Sequence, residues 1–236
     1  MKNLITFHAI LLLAIVSSCK KDNPTQNIST EAKKAEILGV RDSVSYTIDG
    51  KTYIANNEGT FTSGGNQGVN QKVVYNNNGT MLNWDIVGDK DSVLFYRGNL
   101  ITSNTAYFQI FFAKKFNKKD LNGPNFYTPS RADVLKLYTG DQRYAEDFGR
   151  ENAQNGIAIL VSADNKSFSS YGPLPLQMKT SLKPGFQNNS SFKVISFTQT
   201  DVGGYNLEAK FSATVVDEFN ENPKKLENGY LRLYVR

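Results

Sequence analysis

Apolar and polar positions along this chain fall into two regimes. Near the start they form one block: residues 4–16 are apolar except for Thr6 and His8, with Lys2 before them and Ser17, Ser18 and Cys19 after them. From residue 40 onward the block gives way to short runs in which apolar residues recur at every second position, bounded by Gly, Asn and Asp. That is the period of strands joined by turns.

The first such pair, residues 43–48 and 51–55, flanks Asp49-Gly50, a dipeptide that supplies the two positive φ angles of a type I′ hairpin. Residues 56–70, rich in Gly and Asn, predict a loop or a weak edge strand. Residues 71–75 and 80–87 then surround Asn76-Asn77-Asn78-Gly79, a second turn. In the latter run Leu82, Trp84 and Ile86 alternate with Asn83 and Asp85, which predicts one face in the core, Trp84 included, and one face in water. A turn at residues 88–91 leads into a strand at 92–96, and a longer strand at 106–116 places Phe108, Ile110 and Phe112 on one face.

The alternation then breaks. Ser130 followed by Asp133 is a capping-box-like helix start, Val134, Leu137 and Tyr138 share a helical face, and Gly140 is placed to end it. The charged stretch 141–155, with Tyr144 and Phe148 four apart, extends the expected helical insertion to near residues 130–150. Strands resume at 156–163 and 167–170 around Asp164-Asn165. A proline-bearing loop at 172–185 leads to a strand at 191–200, a turn at 201–204 and the cleanest alternation of the chain at 205–216. A turn at 220–225 precedes the last strand, 230–235. About ten short strands joined mostly by turns predict an all-β fold, an antiparallel β-sandwich over residues 40–236. The 25 asparagines fit this pattern, since they gather at turns where an amide side chain tolerates left-handed backbone.

The front block is too short to span a bilayer, which takes about 20 apolar residues. Its charged start, apolar middle and small residues make residues 1–18 a secretory signal. Residues 20–38 are polar and lack strand alternation. Thr30 offers a cap for a short helix through residue 38, and the whole of 19–39 is expected to act as a flexible tether.

Composition then narrows the chemistry. The sole histidine, His8, and the sole cysteine, Cys19, lie in or at the end of the signal, so the folded domain has neither. Ser-His-Asp and Cys-His catalysis, haem ligation, thiolate or imidazole zinc sites and disulfides are excluded from it. No cofactor is expected. The formal net charge of +5 falls to about +4 once the signal and its Lys2 are removed, too mild for a nucleic-acid binder.

The residues Val16-Ser17-Ser18-Cys19 resemble the bacterial lipobox. The resemblance implies cleavage before Cys19 and acylation of that cysteine with diacylglycerol and palmitate-type chains. One chain holds a membrane marginally at about 0.8 kcal/mol per buried methylene, whereas two or three hold it durably. Lys20 at the next position, where aspartate favours inner-membrane retention in such lipoproteins, implies the outer membrane. Lys20-Lys21-Asp22-Asn23 resembles half of a surface-export signal, which leaves the periplasmic and cell-surface faces both open. The stretches SYTIDGKTYIA (45–55), GIAILVSADNKSFSS (156–170) and FSATVVDEFNENPKKLENGYLRLYV (211–235) resemble uncharacterised Bacteroidota lipoproteins. That likeness implies a β-sandwich in the cell envelope and supplies no activity.

Four constellations carry candidate chemistry. Asp89-Lys90-Asp91 alternates carboxylates as calcium loops do, but Leu94 and Leu100 stand where an EF-hand needs glycine and glutamate. Asp141, Glu146, Asp147 and Glu151 are the carboxylates a glycoside hydrolase would need, with Arg143 and Arg150 interleaved as in a salt-bridged surface. Lys114, Lys115, Lys118 and Lys119 form a basic run suited either to anionic lipid or to a solvated loop. Tyr53, Tyr75, Tyr107, Tyr127 and Tyr171, outside the clearest core positions, are candidates for a ligand surface. The expected function is therefore a non-enzymatic outer-membrane lipoprotein whose sandwich binds or scaffolds an envelope component. A surface glycan-binding module and a carboxylate-based glycoside hydrolase are the alternatives. The membrane is the expected partner through the N-terminal lipid, with a glycan or an envelope protein as the domain's ligand.

Overall fold

The computed structural model describes residues 42–56, 61–79, 81–123, 127–201 and 203–236. The signal, Cys19, the tether and its short helix lie outside these residues. Among those described, the alternating runs form thirteen strands: β1 (Ser43–Ile48), β2 (Lys51–Asn56), β3 (Phe61–Gln67), β4 (Lys72–Asn78), β5 (Met81–Val87), β6 (Ser92–Thr102), β7 (Tyr107–Asn117), β8 (Asp141–Gln142), β9 (Gly156–Ala163), β10 (Lys166–Ser169), β11 (Ser191–Gln199), β12 (Tyr205–Val215) and β13 (Lys224–Val235).

They pair antiparallel into a six-stranded sheet ordered β2-β1-β13-β12-β11-β8, a five-stranded sheet ordered β10-β9-β7-β6-β3, and a separate two-stranded sheet, β4-β5. The two large sheets face each other. Their inward rows, Val44, Tyr46, Leu207, Phe211 and Leu233 from one and Phe108, Ile110, Phe112, Ile157 and Ile159 from the other, form one buried cluster. Rings meet across the gap, Phe108 at 5.5 Å from Phe211 and Phe112 at 6.0 Å from Phe192. This is the expected all-β sandwich.

Local sequence explains the hairpins. Asp49 and Gly50 adopt φ of 52° and 76°, the type I′ geometry that matches strand twist. Asp164 and Asn165 do the same between β9 and β10 at 50° and 61°. Within the run 56–70, residues 61–67 form an edge strand, β3, paired to β6.

The helical insertion is shorter than expected. Ser130 Oγ accepts from the Asp133 amide and starts α1 (Arg131–Leu135), which tightens into a 3₁₀ turn over Lys136–Tyr138. Residues 141–155 are not helical. Asp147 accepts from the amides of Ala153 and Gln154, and Asn152 Oδ1 accepts from Gly149, so side chains take the donors a helix would use. The segment lies on the outer face of the five-stranded sheet, hydrogen-bonded through Ala145 and Arg143 to Ile157. There Phe148, Ala145 and Val69 build a second cluster with Leu94, Ala113 and Ala158.

Candidate functional site: the aromatic hairpin

Strands β4 and β5 pair Val73 with Ile86, Tyr75 with Trp84 and Asn77 with Leu82, so these six side chains share one face. The sequence predicts that Leu82, Trp84 and Ile86 enter the core. The structure overturns this: Leu82 is 63% exposed, Trp84 47%, Ile86 45% and Tyr75 54%. The reason is topological. Among the described residues no third strand continues this ribbon, and neither large sheet includes it. Val74 and Val87, on the opposite face beside Lys72 and Asp85, are also exposed. Beyond Tyr75 the tip is polar, Asn76-Asn77-Asn78-Gly79, and Asn83 faces Asn76 across the ribbon.

A lone two-stranded hairpin is marginal in water, so its root has to be held, and it is. Val69, buried in the outer cluster, accepts through its carbonyl from the Asp89 amide, and Asn70 Nδ2 donates to Asp89 Oδ2 at 2.6 Å. A methyl group at Gly88 would stand 2.4 Å from the Val69 carbonyl oxygen, so only glycine permits this closure. On the other side the Gln71 amide donates to the Glu151 carbonyl and Gln71 Nε2 to the Arg150 carbonyl, each at 2.8 Å.

Arg150 extends the same clamp. Its buried guanidinium donates through Nη1 to the carbonyls of Leu174, Pro175 and Met178 at 2.9, 3.0 and 3.3 Å, and approaches Glu151 at 3.4 Å. The loop it fixes, residues 172–185, reaches the hairpin: the Tyr75 hydroxyl donates to the Gln177 carbonyl at 3.4 Å, and Met178 beside it is exposed. Glu146 closes the loop's far end, its carboxylate accepting from the amides of Gly185 at 2.7 Å and Gln187 at 3.0 Å while its carbonyl takes Gly172. Asn220 Nδ2 then ties Thr180 to the 217–222 turn, where Phe219 is exposed.

The other candidates separate. Tyr53 is buried, stacked on Tyr46 at 5.5 Å, because its strand belongs to the six-stranded sheet. Tyr107 is half-buried and donates to Gln109 Oε1. Tyr127 lies under the Lys118 ammonium. Tyr171 packs edge-on against Phe148, and burial pushes its hydroxyl up to about 12. Only Tyr75 of the five presents its ring to solvent, and its partner Trp84 was assigned to the core by its alternation.

Among the carboxylates, Glu146 and Asp147 are committed to backbone amides, and burial is the main cause raising Asp147 above the ordinary range. Glu151 pairs with Arg150, and Asp141 sits in edge strand β8. Asp89 serves the hairpin root, and no group of three or more His, Cys, Asp or Glu able to hold a metal occurs among the described residues. Of the lysines, Lys115 and Lys118 donate to the carbonyls of Ala153 and Lys90, while Lys114 covers Phe116.

What the arrangement offers chemically is contact. It has an apolar and aromatic strip with Asn77 toward its tip, held at its root and touched by the 172–185 loop at Tyr75. No protein-family model matches the sequence, and no curated protein or solved structure matches it either, so the hairpin's own chemistry is what points to a ligand.

Proposed function

We propose that this chain is a non-enzymatic outer-membrane lipoprotein, anchored by acylation of Cys19, whose β-sandwich binds or scaffolds an envelope component through the exposed face of the β4–β5 hairpin. The observation that carries the binding role is Leu82, Trp84, Ile86 and Tyr75 standing in water on a ribbon that the sandwich core does without. Residues 1–19 support the anchor: a charged start, an apolar stretch too short to span, and a cysteine after two serines.

The test has two arms. Cells fed a tagged fatty acid label the full chain but not Cys19→Ser, and the labelled protein fractionates with the outer membrane. Protease added to intact cells then assigns the face. In the second arm, unlipidated residues 20–236 sediment with isolated envelopes, and exchanging Leu82 and Ile86 for serine releases them. Absence of label, sedimentation indifferent to the hairpin, or turnover of envelope polymers by the purified chain overturns the corresponding part.

A further inference from the structure

The hairpin face is chemically specific enough to indicate what covers it. Tyr75, Leu82, Trp84 and Ile86 leave on the order of 400 Å² of largely apolar surface in water, the size of the largest apolar patch on a typical monomer, which is often functional. Three occupants compete, and magnitudes separate them.

A second copy laid face to face would bury on the order of 800 Å² in total, short of the roughly 1,200–2,000 Å² of a stable protein pair. An anionic bilayer would gain about 1 kcal/mol for each Lys or Arg at its surface, yet the ribbon carries Lys72 alone, offset by Asp85. Tip-first entry would also strip water from Asn76, Asn77, Asn78 and Asn83, at roughly 2–7 kcal/mol for each unpartnered amide.

A neutral sugar chain meets neither obstacle. The C–H faces of pyranose rings are apolar and stack on aromatic side chains, while their hydroxyls both donate and accept, as carboxamides do. Tyr75 and Trp84 are directly opposed across the ribbon, which sets their Cβ atoms about 5 Å apart. Both side chains are about half exposed, Tyr75 at 54% and Trp84 at 47%, so a ligand can reach them. On this face the ribbon itself carries no charge, and Asn77 sets one carboxamide beside Tyr75, while Asn76, Asn78 and Asn83 lie on the opposite face. An uncharged strip suits a neutral ligand.

Deepening the binding role proposed above, and resting on it, we propose that the envelope component is a neutral polysaccharide, stacked across Tyr75 and Trp84 and hydrogen-bonded by Asn77 at the tip end of the same face. Tyr75 has a second task. Its hydroxyl holds the Gln177 carbonyl, which places the 172–185 loop, with Met178, beside the ring.

Trp84 is the only tryptophan in the sequence, so its emission reports this site and nothing else. The lipidated chain in phosphatidylcholine nanodiscs is titrated with soluble β-glucan, mannan and galactan, and with alginate as an anionic chain. The expected result is a saturable blue shift and reduced acrylamide quenching with at least one neutral polysaccharide. Tyr75→Ala weakens that response roughly tenfold at an unchanged melting temperature. Tyr75→Phe, which keeps the ring and loses the bond to the loop, binds close to wild type. No response from any neutral chain, an equal response to alginate, or Tyr75→Ala binding as wild type overturns the proposal. If envelope sedimentation still depends on Leu82 and Ile86 in that event, the hairpin binds something other than neutral sugar. If it does not, the binding role falls too.

Discussion

Two hairpins of this protein carry the same sequence signature and end in opposite environments. In β1–β2 the alternating Val44, Tyr46, Ile48, Tyr53 and Ala55 are buried. In β4–β5 the alternating Tyr75, Leu82, Trp84 and Ile86 are in water. Alternation states that a strand has an apolar face. It does not state that a layer exists to cover that face. For β1 the covering comes from elements remote in sequence: β13 pairs along its edge, and Tyr46 reaches across to donate to the Ser162 carbonyl at 2.8 Å and pack against Phe108. For β4–β5 the described residues supply a root and no roof.

The contrast is broken or sharpened by substitution, beginning where the effect is largest. Phe108→Ala, at 0% exposure between Tyr46 and Phe211, is expected to cost about 3–5 kcal/mol in urea unfolding.

Next comes Asp42, the residue before β1. It is buried, one oxygen accepts from the Tyr234 amide at 2.6 Å, and burial raises it from 3.8 to about 6. The native state therefore holds this proton more tightly than the unfolded chain. The associated stability is fully present below about pH 4 and is lost as pH rises through 6, up to roughly 3 kcal/mol in all. Asp42→Asn should flatten that limb of the stability–pH curve, measured by unfolding at fixed intervals from pH 4 to 8, while keeping the acceptor for Tyr234.

Arg150→Ala should cost roughly 2 kcal/mol by stranding the carbonyls of Leu174, Pro175 and Met178. Limited proteolysis should then cut within residues 172–185 first. The smallest effect belongs to the ribbon: Leu82→Ser and Ile86→Ser should change stability by less than about 0.5 kcal/mol. A loss above about 2 kcal/mol there would mean the face is covered, and the contrast with β1–β2 would collapse.

Much of the fold was legible because it is local. Asp49-Gly50 and Asp164-Asn165 set their turns by backbone geometry, Ser130 capped α1 as its spacing predicts, and Leu207, Ala209, Phe211, Ala213 and Val215 are all buried as their alternation predicts. The β-sandwich followed from those pieces. The candidate site was legible only in part. Tyr75 stood among five tyrosines that periodicity ranks alike, and strand context separates it from Tyr53. Trp84 was misplaced because coverage is decided by long-range pairing, which alternation does not encode. Arg150 carries no local mark distinguishing it from Arg143, yet one is buried among carbonyls and the other is exposed. Residues 141–155 misled for a related reason: apolar residues four apart suggest a helix, and the capture of backbone donors by Asp147 and Asn152 shows only in three dimensions.

The hairpin's detachment from both large sheets has a consequence for how such a protein changes over generations. In most of the sandwich an altered side chain must first be compatible with folding, and only then can it be tried for a new partner. On a ribbon fastened at its root and by Tyr75 to one loop, Val69, Gly88 and Gln71 answer for most of the geometry, and the outer residues other than Tyr75 are released from that duty. Recognition can then diversify residue by residue while the framework stays fixed, as with an interchangeable tool on a permanent handle.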